Sequence, residues 1–239
     1  MLRYLHTFSF LITLLILQGC VTAPTSVNPA STNQAVNIDN ALWWYARFKI
    51  AWPENTDPDF SIDPLIADRI VEPVLISERQ HIRYWRFHRR AVRDIGGHQF
   101  SFIFYTDKQT ATRIYQKLQT NPYTAKLKSA NILESLITDD PAKNDRSSVA
   151  ATSDPSWSKE MQAAWPDYIM GVSQLWLNLI DSFAGNSSNQ DLDTLLAEYR
   201  QINSKITDSW QSEGEHALLH HLNAVFGYAP MPLNIPARF

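Results

Sequence analysis

The amino-acid sequence predicts an α+β protein, in which an antiparallel sheet with two crossover helices is followed by a helical C-terminal third. Apolar and polar residues alternate with period two near Trp44 and again near Trp85, as in strands that lie in a sheet. Apolar residues recur at helical spacing after Pro64, after Asp107 and throughout the last third of the chain. These two periodicities and their order along the chain determine the predicted fold class.

The first predicted strand begins near Trp44 and ends at Pro53. Its alternation separates two sides, with Trp44, Ala46, Phe48, Ile50 and Trp52 on one and Tyr45, Arg47 and Lys49 on the other. Trp, Tyr, Phe and Ile are enriched in strands, so the segment favours a strand over a helix. Proline at position 53 cannot donate to a ladder and therefore ends the strand.

The next segment predicts a helix followed by a β-hairpin. Asp63 and Pro64 form an N-cap and N1 pair, and Pro73 is expected to kink or divide the helix that they start. Residues 84–91 alternate again, and a turn at 94–97 connects them to a third strand over 98–105.

A second helix is predicted to begin at Thr106 or Asp107 and to end at Asn121 and Pro122. Its predicted core face consists of Ala111, Ile114, Tyr115 and Leu118. A weaker strand over 132–137 completes the order strand, helix, strand, strand, helix, strand. This βαββαβ order is typical of ferredoxin-like folds, in which the first and third strands are central and the second lies at an edge.

The third strand is apolar on both sides, so both faces of the sheet need cover. The two crossover helices cover one face, and three C-terminal helices are predicted to cover the other. The first runs from Pro166 to Phe183 and the second from Leu192 to Trp210. Ser212 and Glu215 form a capping box for the third, which Gly227 ends. The folded parts are expected to span 41–140 and 155–228.

The N-terminus has the pattern of an export signal. Arg3 precedes an apolar run over 8–17, which is too short to span a bilayer as a helix, and the segment ends in Leu17, Gln18, Gly19 and Cys20. This ending resembles a bacterial lipobox. The resemblance implies that residues 1–19 are a signal peptide and that Cys20 is lipidated. With Val21 after the cysteine, it also implies attachment to the outer membrane of a Gram-negative envelope, facing the periplasm.

Composition excludes several classes of protein. Residues 20–40 are rich in Ser, Thr, Asn and Pro and are expected to form a flexible tether. The net charge of −3 is too small to indicate a partner that binds through the overall charge of the protein. A chain with a single cysteine has no internal disulfide. No apolar run after residue 20 approaches the length of a membrane span.

Arginine is concentrated on and beside the second strand. Arg83, Arg86 and Arg90 are candidates for binding an anion, because guanidinium groups suit phosphate and carboxylate. The alternative is structural: charged residues protect an edge strand from pairing with other chains, and arginine stacks on neighbouring aromatic rings. The structural interpretation is favoured.

Glu213, His216 and His220 fall on one side of the predicted third C-terminal helix. Two histidines at i and i+4 can bind a transition metal, and here a further ligand is lacking. Residues 98–105 resemble the third-strand signature of RNA-recognition motifs through Phe100, Phe102, Ile103 and Tyr105, and that resemblance implies bases stacked on exposed aromatic rings. Burial on both faces would hide these rings, so no nucleic-acid partner is expected.

The expected function is therefore that of a membrane-anchored envelope lipoprotein that binds or helps to assemble an envelope protein partner. No catalytic motif or phosphate-binding glycine loop is present, no cofactor is predicted, and an enzyme is the less favoured class. Two alternatives remain open. One is an anion- or lipid-binding module that uses the arginine strand, and the other is a metal-dependent hydrolase that uses His216 and His220.

Overall fold

The computed structural model describes residues 40–185 and 191–230. They form an α+β structure with a four-stranded antiparallel sheet in the order β2-β3-β1-β4. The strands are β1 (Leu42–Ile50), β2 (Tyr84–Val92), β3 (Gly97–Thr106) and β4 (Leu133–Thr138). As predicted, β1 and β3 are central and β2 lies at an edge. The lipobox and Cys20 lie outside the described residues.

One side of the sheet, here called the first face, carries the main core. Trp44 pairs with Phe104, and Phe48 pairs with Phe100 in the antiparallel register of β1 and β3. These residues are fully buried, as is Phe102, whose ring stacks on Phe104 with centroids 4.9 Å apart. The alternation predicted for the first strand is confirmed from Trp44 to Ile50.

The first crossover is a helix that changes geometry twice. It consists of α1 (Ile62–Ile66), a π-helical turn (Ala67–Val71) and α2 (Glu72–Glu78), followed by a 3₁₀ turn (Arg79–His81). Pro73 lies in the first turn of α2 and has no N–H to donate to the carbonyl of Arg69. The side-chain amide of Asn121 donates to that carbonyl instead, at 3.0 Å. The sequence predicted that Pro73 divides this helix. Asn121 supplies the hydrogen bond that Pro73 cannot make to Arg69.

The predicted N-cap at Asp63 is wrong. Ser61 occupies the N-cap position without a capping side-chain bond, and Asp63 lies inside α1 and is fully buried. Its two carboxylate oxygens bind Arg89 and His98 of the sheet, so they do not cap the N–H groups of the helix.

The second crossover begins as predicted. Asp107 caps α3 (Lys108–Thr120) by accepting a hydrogen bond from the N–H of Thr110 at 2.9 Å. The four residues predicted for its core face are buried. Asn121 and Pro122 end α3, as expected, but they also start a helix that was not predicted, α4 (Pro122–Ser129), with Asn121 as its N-cap.

The last third contains α5 (Lys159–Phe183) and α6 (Leu192–Gly214), and both pack with the first face. Trp176 of α5 contacts the rings of Phe87 and Phe100 at centroid distances of 5.5 and 6.0 Å. Ser173 Oγ accepts the backbone N–H of Phe87 at 3.0 Å, so α5 also lies along the free edge of β2. The prediction that the C-terminal helices cover the opposite face is therefore wrong.

The opposite side of the sheet, the second face, is covered by residues from 141–154, the segment between the two predicted folded parts. Trp43 Nε1 donates to the carbonyl of Val149 at 3.0 Å, and the Tyr105 hydroxyl donates to the carbonyl of Ser147 at 2.7 Å. The cluster beneath is small, because this face also carries Arg47, Lys49 and Gln99. A short loop with a 3₁₀ turn (Val149–Thr152) is enough to cover it.

The predicted third C-terminal helix is not separate. Beyond α6 the chain continues through a π-helical turn (Glu215–His220) into α7 (His221–Val225). Ser212 does not cap a new helix, because its hydroxyl donates to the carbonyl of Asp208 one turn earlier at 2.7 Å. Pro166 does not start a helix either: α5 begins at Lys159, with Ser158 as its N-cap, and buries Pro166 inside.

Among the described residues, no helix combines the length and the apolar character that a membrane crossing requires.

Candidate functional site

Three carboxylates meet where the first crossover contacts α5. Asp68 is in the π-helical turn, Glu72 begins α2, and Asp181 is near the end of α5. One oxygen of each lies within 4.8 Å of the others, and this is the group of three or more metal-ligating side chains found in the described part of the chain. No sequence pattern indicated this group, because Asp181 is more than a hundred residues away from the other two.

A tyrosine and an arginine adjoin these carboxylates. The buried Tyr199 of α6 donates its hydroxyl hydrogen to Asp68 Oδ2. Arg69 Nε donates to the Tyr199 oxygen at 2.8 Å and lies 3.4 Å from Asp68 Oδ2. The group therefore links the first crossover to both long C-terminal helices.

Burial raises the pKa of two of these carboxyl groups, Glu72 and Asp68. Burial raises the pKa of Glu72 to about 7, and the charges of Asp181 and Asp68 and a hydrogen bond with Asp181 act in the same direction. Burial also raises the pKa of Asp68, against the Tyr199 hydrogen bond and the Arg69 charge, which lower it. Chemically, the arrangement holds an exchangeable proton, and its oxygens are of the type that hard cations prefer.

We expect the stability of the protein to depend on pH through Glu72. The folded-state pKa of about 7 exceeds the ordinary value of 4.5, so the folded state binds the proton more tightly than the unfolded chain. The contribution of this group is full below pH 4.5 and is lost as the pH rises through 7. Thermal denaturation should show that Glu72→Gln flattens this decline and raises the melting temperature at pH 8.

The control for this measurement is Glu160→Gln, which changes an exposed carboxylate of α5. It should leave the pH dependence of the wild type unchanged. If the curves of wild type and Glu72→Gln run parallel from pH 5 to 8, Glu72 does not hold the proton.

A second polar network lies between α1 and the sheet, and its Asp63 and His98 side chains are fully buried. Asp63 Oδ2 accepts from Arg89 Nε at 2.7 Å, and Oδ1 lies 3.1 Å from Nε2 of His98. If His98 donates from Nε2, its Nδ1 carries the lone pair, and Nδ1 has no hydrogen-bond partner among the described residues. The side chains of Asp63 and His98 have no exposed surface, so this network joins structural elements and is closed to substrates.

The structure gives the three candidate anion-binding arginines different surroundings. Arg83 is exposed and its guanidinium carbon lies 5.2 Å from the centre of the Tyr84 ring. Arg86 is half-buried, which lowers its pKa, and its Nη2 is 3.5 Å from the carbonyl of Thr152.

Arg90 is engaged by an acidic side chain. It makes two hydrogen bonds to Asp94, at 3.1 and 2.6 Å. Nearby arginines are also in use, since Arg89 pairs with Asp63 and Arg93 donates to three carbonyls around Trp52. These contacts favour the structural interpretation of the arginine strand. Near Phe87, α5 covers the edge that the charges were expected to protect.

The candidate metal-binding residues Glu213, His216 and His220 are exposed. The rings of His216 and His220 stack with centroids 5.1 Å apart, and His221 lies within 5.4 Å of both. Glu213 precedes the π-helical turn, whereas both histidines lie in it, so the regular spacing assumed for the three does not apply. The three do not form a metal-ligating group like that of Asp68, Glu72 and Asp181.

A further candidate site is an arm formed by residues 207–228, the end of α6 together with the π-helical turn and α7. Ile206 is the last buried apolar side chain before it. Within the arm only Gly214 is buried, and the ring of Trp210 covers it. The exposed large apolar side chains of the arm are Trp210, Leu219, Val225, Phe226 and Tyr228.

Comparisons with known proteins identify no family. No protein-family model and no curated protein matches the chain. Among solved structures, the chain is similar to the one titled "Crystal structure of TsrL", with 12% sequence identity and a TM-score of 0.36. The match covers 61% of this chain and 36% of that one, and a likeness at this level carries no argument about function.

Proposed function

We propose that the protein is a lipoprotein, anchored through Cys20 to the outer membrane and facing the periplasm, which binds or helps to assemble an envelope protein. The observation that carries the binding role is the arm at 207–228. Several of its large apolar residues are more than half exposed: Val225 is 83% exposed, Phe226 67%, and Trp210 58%. We interpret this concentration of exposed large apolar side chains in one segment as a protein interaction site.

The charge of the arm favours a protein partner over lipid or nucleic acid. It carries Asp208, Glu213 and Glu215 and contains no Lys or Arg. Anionic headgroups and phosphodiester backbones attract basic segments, so this arm would be repelled by both. An apolar groove with polar or basic margins is the complementary surface, and aromatic anchors such as Trp210 are the residues that dominate binding at such sites.

The two alternative functions receive less support. Arg90 is bound by Asp94, and the half-buried Arg86 has one long contact, from Nη2 to the carbonyl of Thr152 at 3.5 Å, while its Nε has no hydrogen-bond partner among the described residues. Arg83 is the exposed member of the anion-binding set. For the hydrolase, His216 and His220 lie together on the surface, and no element outside the arm within residues 40–185 and 191–230 adds a third ligand. An interaction role requires neither group.

We further propose that the sheet and its two crossovers belong to the ferredoxin-like class. The strand order β2-β3-β1-β4, with helical crossovers after β1 and β3, supports this assignment.

The anchoring proposal predicts a complete change in fractionation. In Cys20→Ser, no thiol is available for acylation, so the protein should leave the membrane fraction or remain as an uncleaved precursor. Membrane fractionation and mass spectrometry of the N-terminus measure this directly. An intact N-terminus with unmodified Cys20 in wild-type cells would refute the proposal.

The binding proposal predicts that one envelope protein depends on the arm. Val225→Glu places a charge in the apolar surface without removing any buried contact, so the fold should persist while binding is lost. The matched control is Ile95→Glu, which changes a fully exposed residue in the β2–β3 turn. Cross-linking in intact cells should yield a partner with wild type and control, and at least roughly tenfold less of it with Val225→Glu. Equal yields from all three proteins would contradict the role of the arm.

A further inference from the structure

Three histidines lie together in the arm, where the π-helical turn leads into α7. The ring centres of His216 and His220 are 5.1 Å apart, and those of His220 and His221 are 5.2 Å apart. The third distance, between His216 and His221, is 5.4 Å. All three residues are exposed. The rings therefore form a nearly equilateral triangle at the surface.

The π-helical turn brings His221 into this group. In an α-helix, residues i and i+5 lie about 140° apart around the axis, so helical spacing in the sequence placed His216 and His220, but not His221, on one side. A π turn closes with hydrogen bonds between residues i and i+5, which carries the later residue back toward the side of the earlier one. The turn at Glu215–His220 has this geometry, and His221 follows it directly. Turns of this kind occur frequently at functional sites.

The end of the arm folds back onto the same rings. Gly227 and Tyr228 both have a positive φ, of 69° and 56°, and the N–H of Tyr228 donates to the carbonyl of Asn223 at 2.9 Å. This reversal places the hydroxyl oxygen of Tyr228 3.5 Å from Nε2 of His220. A polar group at one nitrogen of an imidazole orients the ring and leaves the other nitrogen for a ligand.

We propose that His216, His220 and His221 bind one divalent transition-metal cation, for which zinc is the test ion. In a tetrahedral site with Zn–N distances of about 2.0–2.1 Å, the centres of two imidazole ligands lie roughly 5 Å apart, which is the spacing of these rings. Three histidines with a fourth position left open are an established zinc ligand set. Imidazole nitrogen suits zinc, copper and nickel, whereas magnesium and calcium prefer oxygen ligands.

Metal binding requires the three rings to turn. As they stand, they do not bring one nitrogen each within 4.8 Å of the others, as the carboxylates of the Asp68 group do with their oxygens. The torsion about the Cβ–Cγ bond of histidine has a broad preference, so an exposed ring turns at little cost. The contacts of these rings in the described chain are with one another and with Tyr228, and none of them is buried.

This ligand set differs from the one that sequence spacing indicated. Glu213 lies before the π-helical turn, and the proposal replaces it with His221. The two sets therefore make opposite predictions for substitutions of Glu213 and His221. The site needs no partner protein, so it does not rest on the binding role of the arm.

Isothermal titration of the full-length protein in detergent with Zn²⁺ tests the ligand set. His221→Ala should raise the dissociation constant for zinc at least roughly tenfold, because it removes one of three ligands. Glu213→Gln should leave the constant unchanged. The matched control is His81→Ala, which removes an exposed histidine from the 3₁₀ turn after α2 and should also leave it unchanged. Cys20 and the Asp68 group are the same in all four proteins, so zinc bound there does not affect the comparison.

Nuclear magnetic resonance identifies the ligands directly. On addition of one equivalent of zinc, the ring signals of His216, His220 and His221 should shift together, while those of His81 stay in place. Excess Mg²⁺ should neither cause these shifts nor displace the zinc. Circular dichroism should show that each variant keeps the fold, because all of the substituted side chains are exposed.

Three results would overturn the proposal. One is a wild-type protein that binds no zinc at about 100 µM metal. Another is a zinc affinity that His221→Ala leaves unchanged, which would assign the binding to other groups. The third is an equal loss of affinity in Glu213→Gln and His221→Ala. Loss of the protein partner in Val225→Glu is a separate outcome, so failure of the metal site and failure of the binding role can be distinguished.

Discussion

Asp63→Ala is expected to destabilise the protein by about 3 kcal/mol, because it removes the carboxylate from a buried ion pair. Asp63 accepts hydrogen bonds from Arg89 and His98, and neither Asp63 nor His98 has exposed side-chain surface. Removing one partner of such a pair typically costs about 3–5 kcal/mol, since the other partner stays buried without compensation. The lower end applies here, because the side chain of Arg89 is 30% exposed and can turn toward water.

Urea denaturation measures this loss as a lower midpoint at an unchanged m-value. Asp63→Asn keeps an oxygen that accepts from Arg89 and should lose less. Asp57→Ala changes an exposed aspartate in the same connection and should stay within about 0.5 kcal/mol of wild type. A loss in Asp63→Ala no larger than that of Asp57→Ala would show that the buried network contributes little.

Trp43→Ala is expected to cost about 3–5 kcal/mol and to release the segment that covers the second face. Trp43 is 1% exposed, and its ring lies 5.1 Å from that of Tyr105. Its indole N–H donates to the carbonyl of Val149. The substitution therefore opens a cavity and leaves a carbonyl of the covering segment without its donor.

The second effect separates this prediction from a general loss of stability. Lys143 and Arg146 are trypsin sites in the covering segment. Under native conditions they should be cleaved faster in Trp43→Ala, at conditions where the sheet remains folded by circular dichroism. Trp210→Ala is the control, because its 58% exposed ring lies in the arm and its loss should cost less than about 1 kcal/mol. If cleavage at these sites is equally slow in both variants, the indole does not hold the segment in place.

Local chemistry was the part of this structure that could be predicted. The strand at Trp44 to Ile50 follows from alternation, since a side chain every second residue lies on the same side of a strand. The cap of α3 was predicted at Thr106 or Asp107, and Asp107 provides it, because its oxygens bind an N–H only three residues away. Asp63 has the same local pattern and failed, because distant Arg89 and His98 bind its oxygens more strongly than a local N–H does.

The candidate sites also depend partly on local sequence and partly on contacts between distant residues. The concentration of arginine on the second strand was visible in the sequence. The surroundings of Arg86 and Arg90, however, depend on contacts with Thr152 and Asp94 that only the tertiary structure shows. The carboxylate group at Asp68, Glu72 and Asp181 had no sequence signal, because two separate helices bring it together. The π-helical turn at Glu215–His220 also had none, since residue periodicity alone does not distinguish an inserted residue from a new helix.

What the sequence determined by itself, then, is the four strands, the helical crossovers after β1 and β3 and the helical character of the last third, whereas α4 and the continuous run from α6 to α7 were not predicted. The tertiary structure alone decided which apolar sides meet. Helix α5 buries Leu177 and Ile180 against the sheet and leaves Tyr168 and Val172 exposed on its other side, and periodicity cannot rank these two apolar sides. Trp176 contacts Phe87 and Phe100 of the first face, and these contacts select the side that is buried. The reason is physical: periodicity reports the direction of side chains along one element, whereas burial depends on competition among surfaces that are distant in sequence.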